Sequence, residues 1–445
     1  MKKPPLRHSS LKDSLWNCWL RTVQKKSKKI VLTEAITGAR WTAQELTETA
    51  LQRASRLSSC AGHTVAFCLP NSAEWFAVFL ALQKIGAAAL PLDSSLPPQA
   101  WKETARRLGA HDLWRGEKIE HLKRASLPPP DICCVKTTSG TTGQSQPLFC
   151  ATKNLLADGK NIIATMKIRA NDVNLGLIPL GHSYGIGNLV MPLLLQGTAI
   201  ICADRFVPRQ IHEWIQKFGA TAFPSVPTVF EMLAQLPSAA RLHPLRLAIS
   251  AGAPLAAKTA RLFYKKYGVK IHNFYGSSET GGICYDRSGN ASLSGRSVGK
   301  PLKNVRVKLL KNRVVVKSQA VVAAGSQITL ADLGEWNSRG ELRLVGRAEP
   351  VANIGGKKAS PAEIETAIRR IRGVSDAWVS VIRQKSRDYF AAAVETNLSR
   401  DVLEKKLAKK IAPWKMPRHW HTALELPRTP RGKLDTTTLR GFLDQ

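Results

Sequence analysis

Apolar and polar residues alternate along positions 41–114 in the way that helices and strands alternate in α/β proteins. Thr42 and Glu45 have the spacing of a capping box, which predicts the start of an amphipathic helix. Short apolar runs predict buried strands between the helices, and this alternation indicates a parallel, doubly wound sheet. The predicted helices are Thr42–Leu57, Asn71–Ile85 and Trp101–Leu108, and the predicted strands are Val65–Leu69 and Ala87–Leu92.

The same alternation returns after residue 131 and ends near residue 297. Beyond that point, short β-rich stretches without helical periodicity predict a small β subdomain. The predicted strands of the first part are Ile132–Val135, Leu175–Leu180, Thr221–Pro224, Leu245–Ile249 and Val269–Phe274, with helices at Arg205–Phe218 and from Val226. The predicted strands of the β subdomain are Val305–Leu309, Arg313–Val316 and Gln327–Leu330.

Gly346 to Glu349 mark a boundary, after which a helix, two strands and a second helix predict a compact α+β unit. We therefore expect an N-terminal domain at residues 1–348 and a C-terminal domain at residues 350–445. The predicted elements of the second domain are Pro361–Ile371, Ala377–Ile382, Tyr389–Val394 and Leu398–Lys410.

The composition is that of a large globular chain. The 445 residues are enough for two or more domains, and no run of eighteen apolar residues occurs. The basic N-terminus, Met1–Lys29, has no apolar segment of the kind found in secretory signals. The eight cysteines show no metal-like spacing. A reduced, cytoplasmic protein is the simplest expectation.

The net charge is +34, and it is spread nearly in proportion to length. From residue 350 onward, 19 basic and 10 acidic residues give +9, which leaves +25 for the preceding part. A basic surface suits acidic partners such as nucleotides, acidic carrier proteins, nucleic acid or anionic lipid. A compositional habit of the host is the alternative explanation. The aromatic-flanked basic motifs of nucleic-acid binders are absent, which disfavours nucleic acid as a partner.

The most distinctive stretch is Thr137–Gly143, which contains two glycines, one serine and four threonines. Such residues bring backbone N–H groups and short hydroxyls close to an anion, although a polar linker has a similar composition. The apolar strand before the stretch and a helix-like run after it favour a phosphate loop at a strand end. No Gly-Lys-Ser/Thr sequence closes the loop, so it is not a Walker motif.

Three further polar stretches follow predicted strands, at the positions where ligands bind in open sheets. Ser250–Leu255 and Tyr275–Thr280 are rich in glycine and small residues, and either alone could be an ordinary turn. Gly181–Gly185 reads G-H-S-Y-G, which is also the pattern of a hydrolase nucleophile elbow. A serine hydrolase that uses Ser183 is therefore a rival hypothesis.

Taken in order, these stretches resemble the adenylate-forming superfamily of acyl-CoA synthetases, luciferases and peptide-synthetase adenylation domains. The resemblance extends from about Trp41 to Leu443 and includes the P-L-x-H segment at Pro179–His182. It implies a large α/β domain of doubly wound βα subdomains with a small β subdomain, followed by a mobile α+β lid. The matching stretches are Thr138–Gly143, Pro179–Gly185, Ser250–Leu255, Asn273–Thr280, Asp332, Gly346–Arg347, Gly356, Pro361–Glu365 and Pro427–Lys433.

The resemblance implies a role for each matched residue. The β- and γ-phosphates of ATP would be held by Thr138, Ser139, Gly140, Thr141, Thr142 and Gly143. The adenine slot would be formed by Ala251, Gly252, Ala253, Asn273, Tyr275 and Gly276. Asp332 would accept the ribose hydroxyls, reinforced by Arg347. The catalytic group would comprise Ser278 at the α-phosphate, Glu279 as Mg²⁺ ligand, His182 at the acyl pocket and Lys433 as a transition-state cation.

The implied activity has two steps, adenylation of a carboxylic acid and transfer of the acyl group to a thiol. ATP, Mg²⁺ and the thiol of CoA or of phosphopantetheine on an acidic carrier protein are the implied cofactors and partners. In the family the lid swings about a hinge at the position of Glu349, and Gly355-Gly356 then lines the thiol tunnel. Three residues depart from the family pattern: Gln146, Glu349 and Asn353. Gln146 replaces a phosphate-loop lysine and leaves open a non-catalytic adenylate-binding relative.

The class of the carboxylic acid substrate is predicted from the residue types that are absent from the segment expected to line the acyl pocket. Members that activate amino acids use an aspartate near the His182 position, whereas residues 178–203 contain no acid. Four glycines on the expected pocket wall would leave it thin, namely Gly185, Gly187, Gly281 and Gly282. The sequence thus favours a fatty or aromatic acid with an uncharged tail.

Overall fold

The computed structural model describes residues 14–122, 126–138, 146–204, 207–237, 241–347, 352–354, 357–359, 361–384, 387–429 and 432–443. Several predicted features lie outside these residues: Ser139 to Gly143 of the phosphate loop, the hinge residue Glu349, and Gly355-Gly356.

The strands of the described chain, in order, are β1 Ile30–Glu34, β2 Arg40–Thr42, β3 Thr64–Phe67, β4 Ala88–Pro91, β5 Asp112–Trp114, β6 Ile119–His121, β7 Ile132–Thr138, β8 Gln146–Ala151, β9 Val173–Gly176, β10 Ala199–Cys202, β11 Ala222–Ser225, β12 Leu247–Ser250, β13 Ile271–Ser277, β14 Gly281–Tyr285, β15 Lys300–Pro301, β16 Arg306–Leu310, β17 Arg313–Lys317, β18 Gln327–Trp336, β19 Leu342–Arg347, β20 Ala352–Ile354, β21 Lys357–Ala359, β22 Val374–Gln384, β23 Arg387–Thr396 and β24 His419–Ala423.

The α-helices are α1 Leu15–Lys26, α2 Ala43–Arg56, α3 Ala73–Ile85, α4 Pro98–Arg107, α5 Thr152–Met166, α6 Ser183–Gly185, α7 Met191–Gln196, α8 Pro208–Phe218, α9 Pro227–Gln235, α10 Ala257–Tyr267, α11 Asn290–Ser294, α12 Pro361–Arg369, α13 Arg400–Ala408 and α14 Thr436–Leu443. A π-helical turn, Ile186–Val190, joins α6 to α7.

The larger sheet has nine strands in the order β15-β14-β13-β12-β11-β9-β10-β1-β2. Its six central strands, from β13 to β1, are all parallel, and antiparallel strands complete both edges. A parallel sheet requires crossover connections, and helices such as α8 and α10 supply them. The predicted doubly wound architecture is confirmed.

A second sheet of six strands has the order β6-β5-β3-β4-β7-β8. Its strands β7 and β8 pair antiparallel, with Thr138 opposite Gln146, so the polar loop connects the arms of a hairpin. The sequence had indicated a helix directly after the loop, but β8 comes first and α5 starts only at Thr152. Pairing with β7 satisfies the backbone hydrogen bonds of Gln146–Ala151. The apolar pattern alone does not reveal this pairing.

The capping box is confirmed at the start of α2. The Thr42 hydroxyl accepts from the Glu45 backbone N–H at 3.2 Å, and Glu45 Oε2 accepts from the Thr42 N–H at 2.8 Å. Two orphan donors of the helix terminus are thereby satisfied. The helix α3 begins after Ser72, which caps it, and ends at Gly86 in the left-handed conformation.

The basic N-terminal region contains a helix, α1, that the sequence analysis did not predict. The Trp19 side chain is fully buried and Trp16 nearly so, and both belong to the main apolar core. The Thr22 hydroxyl donates to the Leu194 carbonyl at 2.8 Å, which ties α1 to α7. Because this region contains many basic residues, its composition does not reveal the apolar face that α1 buries by tertiary packing.

The remaining units agree with the predicted fold class. β16 to β19 form a four-stranded antiparallel sheet, the small β subdomain. Beyond it, β22, β23 and β24 form a three-stranded sheet, and an apolar cluster with Ile364 and Phe390 packs α12 and α13 on it. All eight cysteines are buried, and none of them forms a disulfide. A search of the described helices finds none with both the length and the hydropathy needed to span a membrane.

Candidate active site

Ser225 and Ser250, at the carboxyl ends of β11 and β12, lie side by side in register with Asn273 of β13. The Ser225 and Ser250 side chains are buried, and their hydroxyls have no hydrogen-bond partner within the described chain. An unsatisfied buried hydroxyl costs about 1–3 kcal/mol. Both hydroxyls lie at the carboxyl edge of the sheet, where the sequence analysis predicts that a ligand binds.

The predicted adenine slot follows directly from these strand ends. Ala251 is buried, whereas Gly252 and Ala253 are exposed beyond the end of β12. Gly252 has φ +89°, a left-handed conformation that favours glycine, and the turn it makes carries the chain away from the sheet. Asn273 donates from Nδ2 to the Ser297 carbonyl at 3.1 Å, which orients the amide at the edge of the slot.

Tyr275 links this edge to the β subdomain. Its hydroxyl donates to Asp332 Oδ2 at 2.6 Å, a charge-assisted hydrogen bond between β13 and β18. Asp332 lies opposite Arg347 in the register of β18 and β19. The structure thus brings together Tyr275 and Asp332, which are far apart in sequence, and it pairs the backbone segments of Asp332 and Arg347.

Ser278 and Glu279 lie at the turn between β13 and β14, and both are half-buried. The Glu279 carbonyl accepts from the Val322 N–H at 2.8 Å, and the hydroxyls of Ser277 and Thr280 lie 3.1 Å apart. No group of three potential metal ligands occurs in the part of the chain that the structure describes. A single carboxylate suits Mg²⁺ that takes its other ligands from phosphates and water, so Glu279 fits the predicted metal role.

His182 lies in a narrow cleft between the two large sheets. The cleft is lined by Pro91 to Ser94 of one sheet and by Pro179 to His182 of the other, and Thr137 of β7 also borders it. Asn71 holds the second segment: its amide donates to the carbonyls of Gly176 and Ile178, both at 2.9 Å. His182 and the strand that leads into the phosphate loop therefore border the same cleft.

Tyr184 connects the His182 segment to the strand ends. Its hydroxyl donates to the Ile249 carbonyl at 3.0 Å, and its ring lies against Phe274. Burial raises the pKa of Tyr184 well above its ordinary value, so this phenol stays protonated as a donor. The contact fixes α6 at the carboxyl edge of β12.

Lys433 is exposed on a tight turn, in which the Thr429 N–H donates to the Lys433 carbonyl at 2.7 Å. Arg428 anchors the start of this turn through hydrogen bonds to Glu395 and Asp376. A Cβ added at Gly432 would lie 3.4 Å from Thr228, at the start of α9 directly after β11. The turn that carries Lys433 therefore borders the carboxyl end of β11.

Ser183 does not have the surroundings of a hydrolase nucleophile. Its hydroxyl is buried and makes no hydrogen bond to any described group. The Nδ1 atom of the neighbouring His182 accepts from the Tyr184 N–H at 3.4 Å. Ser183 is the first residue of α6, and its backbone is not left-handed. A nucleophile elbow requires an exposed hydroxyl on a strained turn and a base in hydrogen-bond reach. The geometry disfavours the hydrolase hypothesis.

Comparison with known proteins decides the family. The AMP-binding enzyme family matches residues 19–113 and 100–321, which is more than half of the 445 residues. The chain belongs to this adenylate-forming family.

Individual relatives of this AMP-binding enzyme are distant in sequence. A benzoate–CoA ligase of Thauera aromatica is 26% identical over 365 residues, which cover 72% of this chain and 68% of the relative. A 3,4-dihydroxybenzoate–aryl-carrier-protein ligase of Bacillus anthracis is 22% identical over 398 residues, with 88% and 94% covered.

The fold is shared with solved structures. ATP-bound MatB from Rhodopseudomonas palustris superposes with a TM-score of 0.81 at 21% identity, covering 97% of this chain and 98% of that one. The apo form of the same protein, with the same coverage, gives a TM-score of 0.70.

Within this AMP-binding enzyme, sequence reasoning missed several residues at the site. Asn71 and Tyr184 hold the cleft together through contacts with distant carbonyls. Tyr184 stands inside the G-H-S-Y-G motif, which was a usable signal, whereas Asn71 has the signature of an ordinary helix start. Two buried charged residues, Lys136 and Asp158, also lie near the site, and nothing in their local sequence indicates it.

Proposed function

We propose that this AMP-binding enzyme is an acid–thiol ligase that adenylates a fatty or aromatic carboxylic acid and transfers it to a thiol. The observation that carries the proposal is the convergence at the carboxyl ends of β11 to β13. Two unsatisfied buried hydroxyls, the hydrogen-bonded pair Tyr275 and Asp332, and the turn bearing Lys433 all border this edge. Such an edge suits a nucleotide and an activated acyl group.

In the first half-reaction a carboxylate oxygen of the acid attacks the α-phosphorus of ATP. The bond to the oxygen that bridges the α- and β-phosphorus breaks, and pyrophosphate leaves with the electron pair. Lys433 and Ser278 would stabilise negative charge at the carboxylate and the α-phosphate. Tyr275 would stack on adenine and Asp332 would accept from the ribose hydroxyls. Mg²⁺ held by Glu279 would supply neutralisation of phosphate charge.

In the second half-reaction the sulfur of the thiol attacks the acyl carbonyl carbon. AMP leaves with the electrons of the carbon–oxygen bond, and the thiol proton is lost to solvent. The C-terminal lid would first swing away from Thr228, about the hinge at Glu349, and expose the thiol tunnel.

The thiol would belong to CoA or to the phosphopantetheine of an acidic acyl carrier protein. Of the two relatives described above, one is named as a ligase that uses CoA, and the other as a ligase that uses an aryl carrier protein. Their aromatic acids agree with the predicted uncharged tail. The reducing cytoplasm would suit a protein in which none of the eight cysteines forms a disulfide.

The test is ATP–pyrophosphate exchange with a panel of carboxylic acids. We expect exchange that requires both Mg²⁺ and an acid, and thioester formation when CoA or a holo carrier protein is added. Absence of exchange with every acid, together with retained ATP binding, would indicate a non-catalytic adenylate-binding relative instead.

A further inference from the structure

Lys136 and Asp158 form a buried pair of charged residues outside every motif. Both side chains are 3% exposed. Lys136 lies on β7, two residues before Thr138, and Asp158 lies on α5, the helix that follows the phosphate loop. Burial raises the pKa of the Asp158 carboxyl, and the nearby Lys136 ammonium opposes that rise.

The hydrogen bonds of this pair are incomplete. Asp158 Oδ1 accepts from the Gly282 N–H at 2.8 Å, and no other described group donates to this carboxylate. The Lys136 ammonium makes neither a hydrogen bond nor an ion pair to any residue that the structure describes. Buried charged groups are normally saturated with partners, because desolvation is otherwise uncompensated. Asp158 Oδ2 and the ammonium therefore retain the capacity to bind a further polar partner.

Two glycines of the expected pocket wall, Gly187 and Gly281, leave the space that the Asp158 carboxylate occupies. A Cβ at Gly281 would overlap this carboxylate, and a Cβ at Gly187 would lie 3.1 Å from Oδ2. Gly281 directly follows the Glu279-Thr280 turn, and Gly187 lies in the π-helical turn after the G-H-S-Y-G segment. These two segments are the ones expected to line the acyl pocket, so Asp158 reaches its wall.

Other side chains also pack closely against the glycines of the expected pocket wall. The space behind Gly187 is also occupied by Ile162, and the space behind Gly282 by Phe274 and Leu302. Side chains thus already fill the space into which a Cβ at Gly187 or Gly282 would point. The expectation drawn from residues 178–203 concerns that segment alone, and α5 brings the Asp158 carboxylate against Gly187 of the same segment.

We propose that Asp158, supported by Lys136, is the polar end of the acyl pocket and selects a compact aromatic acid whose far end donates a hydrogen bond. A hydroxy- or amino-substituted benzoic acid has this chemistry. The inference rests on the proposed ligase function and narrows its substrate class. A long alkyl chain would lack space, and an unsubstituted ring would leave the buried carboxylate unpaired. A site built to bond a substrate O–H or N–H discriminates strongly against analogues without it.

The experiment compares pyrophosphate exchange for hydroxybenzoates, aminobenzoates, benzoate and decanoate with the wild-type protein, Asp158→Asn and Asp158→Ala. We expect the wild type to prefer the best donor-substituted acid over benzoate by about tenfold or more in kcat/KM. Asp158→Ala should abolish this preference and raise the activity with decanoate, because the end of the pocket becomes apolar and deeper. Asp158→Asn keeps the volume and one acceptor oxygen, so decanoate should stay excluded.

Asp172→Ala is the matched control, since Asp172 is an equally buried aspartate that binds Arg246 near the opposite, amino-terminal end of β12. It should leave acid preference unchanged. If Asp158→Ala does not fold by circular dichroism, Asp158→Asn and calorimetric binding of hydroxybenzoate and benzoate to the wild type decide the question. Equal use of benzoate and its donor-substituted analogues by the wild type would overturn this inference while leaving the ligase function intact. Exchange with no acid at all would instead overturn the proposed function.

Discussion

The hydroxyl of Tyr275 donates a 2.6 Å hydrogen bond to Asp332, and this bond joins the parallel sheet to the β subdomain. The two residues are 57 positions apart in sequence. Each was predicted to contact a different part of ATP, the base and the ribose. Their hydrogen bond means that the two contacts are coupled, because the tyrosine orients the carboxylate.

The first prediction tests this coupling with Tyr275→Phe. The ring remains, but Asp332 loses a donor, and hydrogen bonds to charged groups contribute about 1.5–3 kcal/mol. We expect the KM for ATP to rise roughly tenfold with a smaller change in kcat, measured by pyrophosphate exchange. Tyr264→Phe, at an exposed tyrosine of α10, is the control and should have no effect. An unchanged KM in Tyr275→Phe would contradict the coupling.

The second prediction separates the half-reactions with Lys433→Ala. Loss of a cation that stabilises transition-state charge should lower adenylation by about a hundredfold or more. Thioester formation from supplied acyl adenylate should survive, because Lys433 would have moved away with the lid. Lys410→Ala, at another exposed lysine of the lid, should alter neither rate. Equal loss of both steps in Lys433→Ala would contradict the swinging-lid proposal.

The third prediction concerns Gln146, which is exposed and lies opposite Thr138 at the base of the phosphate loop. Restoring the family's charge with Gln146→Lys should lower the KM for ATP, because an added cation would face the outer phosphates. Acid selectivity should not change, since the acyl pocket is formed by other segments. Exchange kinetics across the acid panel measure both quantities. No change in KM would mean that another basic residue already supplies this charge.

The fourth prediction tests the rival function through Ser183. A fluorophosphonate probe should not label the protein, because the Ser183 hydroxyl is buried and no described group activates it. Ser183→Ala should leave adenylation within a few-fold of the wild type. Mass spectrometry of probe-treated protein reads the outcome directly. Labelling that disappears in Ser183→Ala would restore the hydrolase hypothesis.

The fifth prediction concerns the acceptor and the net charge of +34. A strongly positive field speeds encounter with an acidic carrier protein, and salt screens it. We expect a holo carrier protein to be used at least as well as CoA, with a rate that falls more steeply between low and high salt. Both transfer rates are measured across one salt series. A carrier reaction that is insensitive to salt, or absent beside fast CoA ligation, would leave the charge as a compositional habit.

The sequence by itself determined the fold class, the order of the motifs and most of the element types. The capping box at Thr42 and the alternation of helices and strands depend on neighbours within a few residues, so they can be predicted from the sequence alone. The motifs at the strand ends could also be predicted, because residues at the carboxyl ends of parallel strands share one edge of the sheet whatever the strand order. Ser250 and Asn273 do lie next to each other there.

Only the tertiary structure decided which distant side chains meet. The strand order places Ser225 beside Ser250, the buried helix α1 depends on packing against α7, and β8 exists because β7 is available to pair with it. Asp158 is the clearest case, because its spacing in α5 is that of any helical residue. Its carboxylate lies where Gly187 and Gly281, from two other segments, leave space for it, and our proposal that it reaches the acyl pocket depends on that packing. Burial and vacated volume are properties of three-dimensional packing, and no local pattern of residues encodes them.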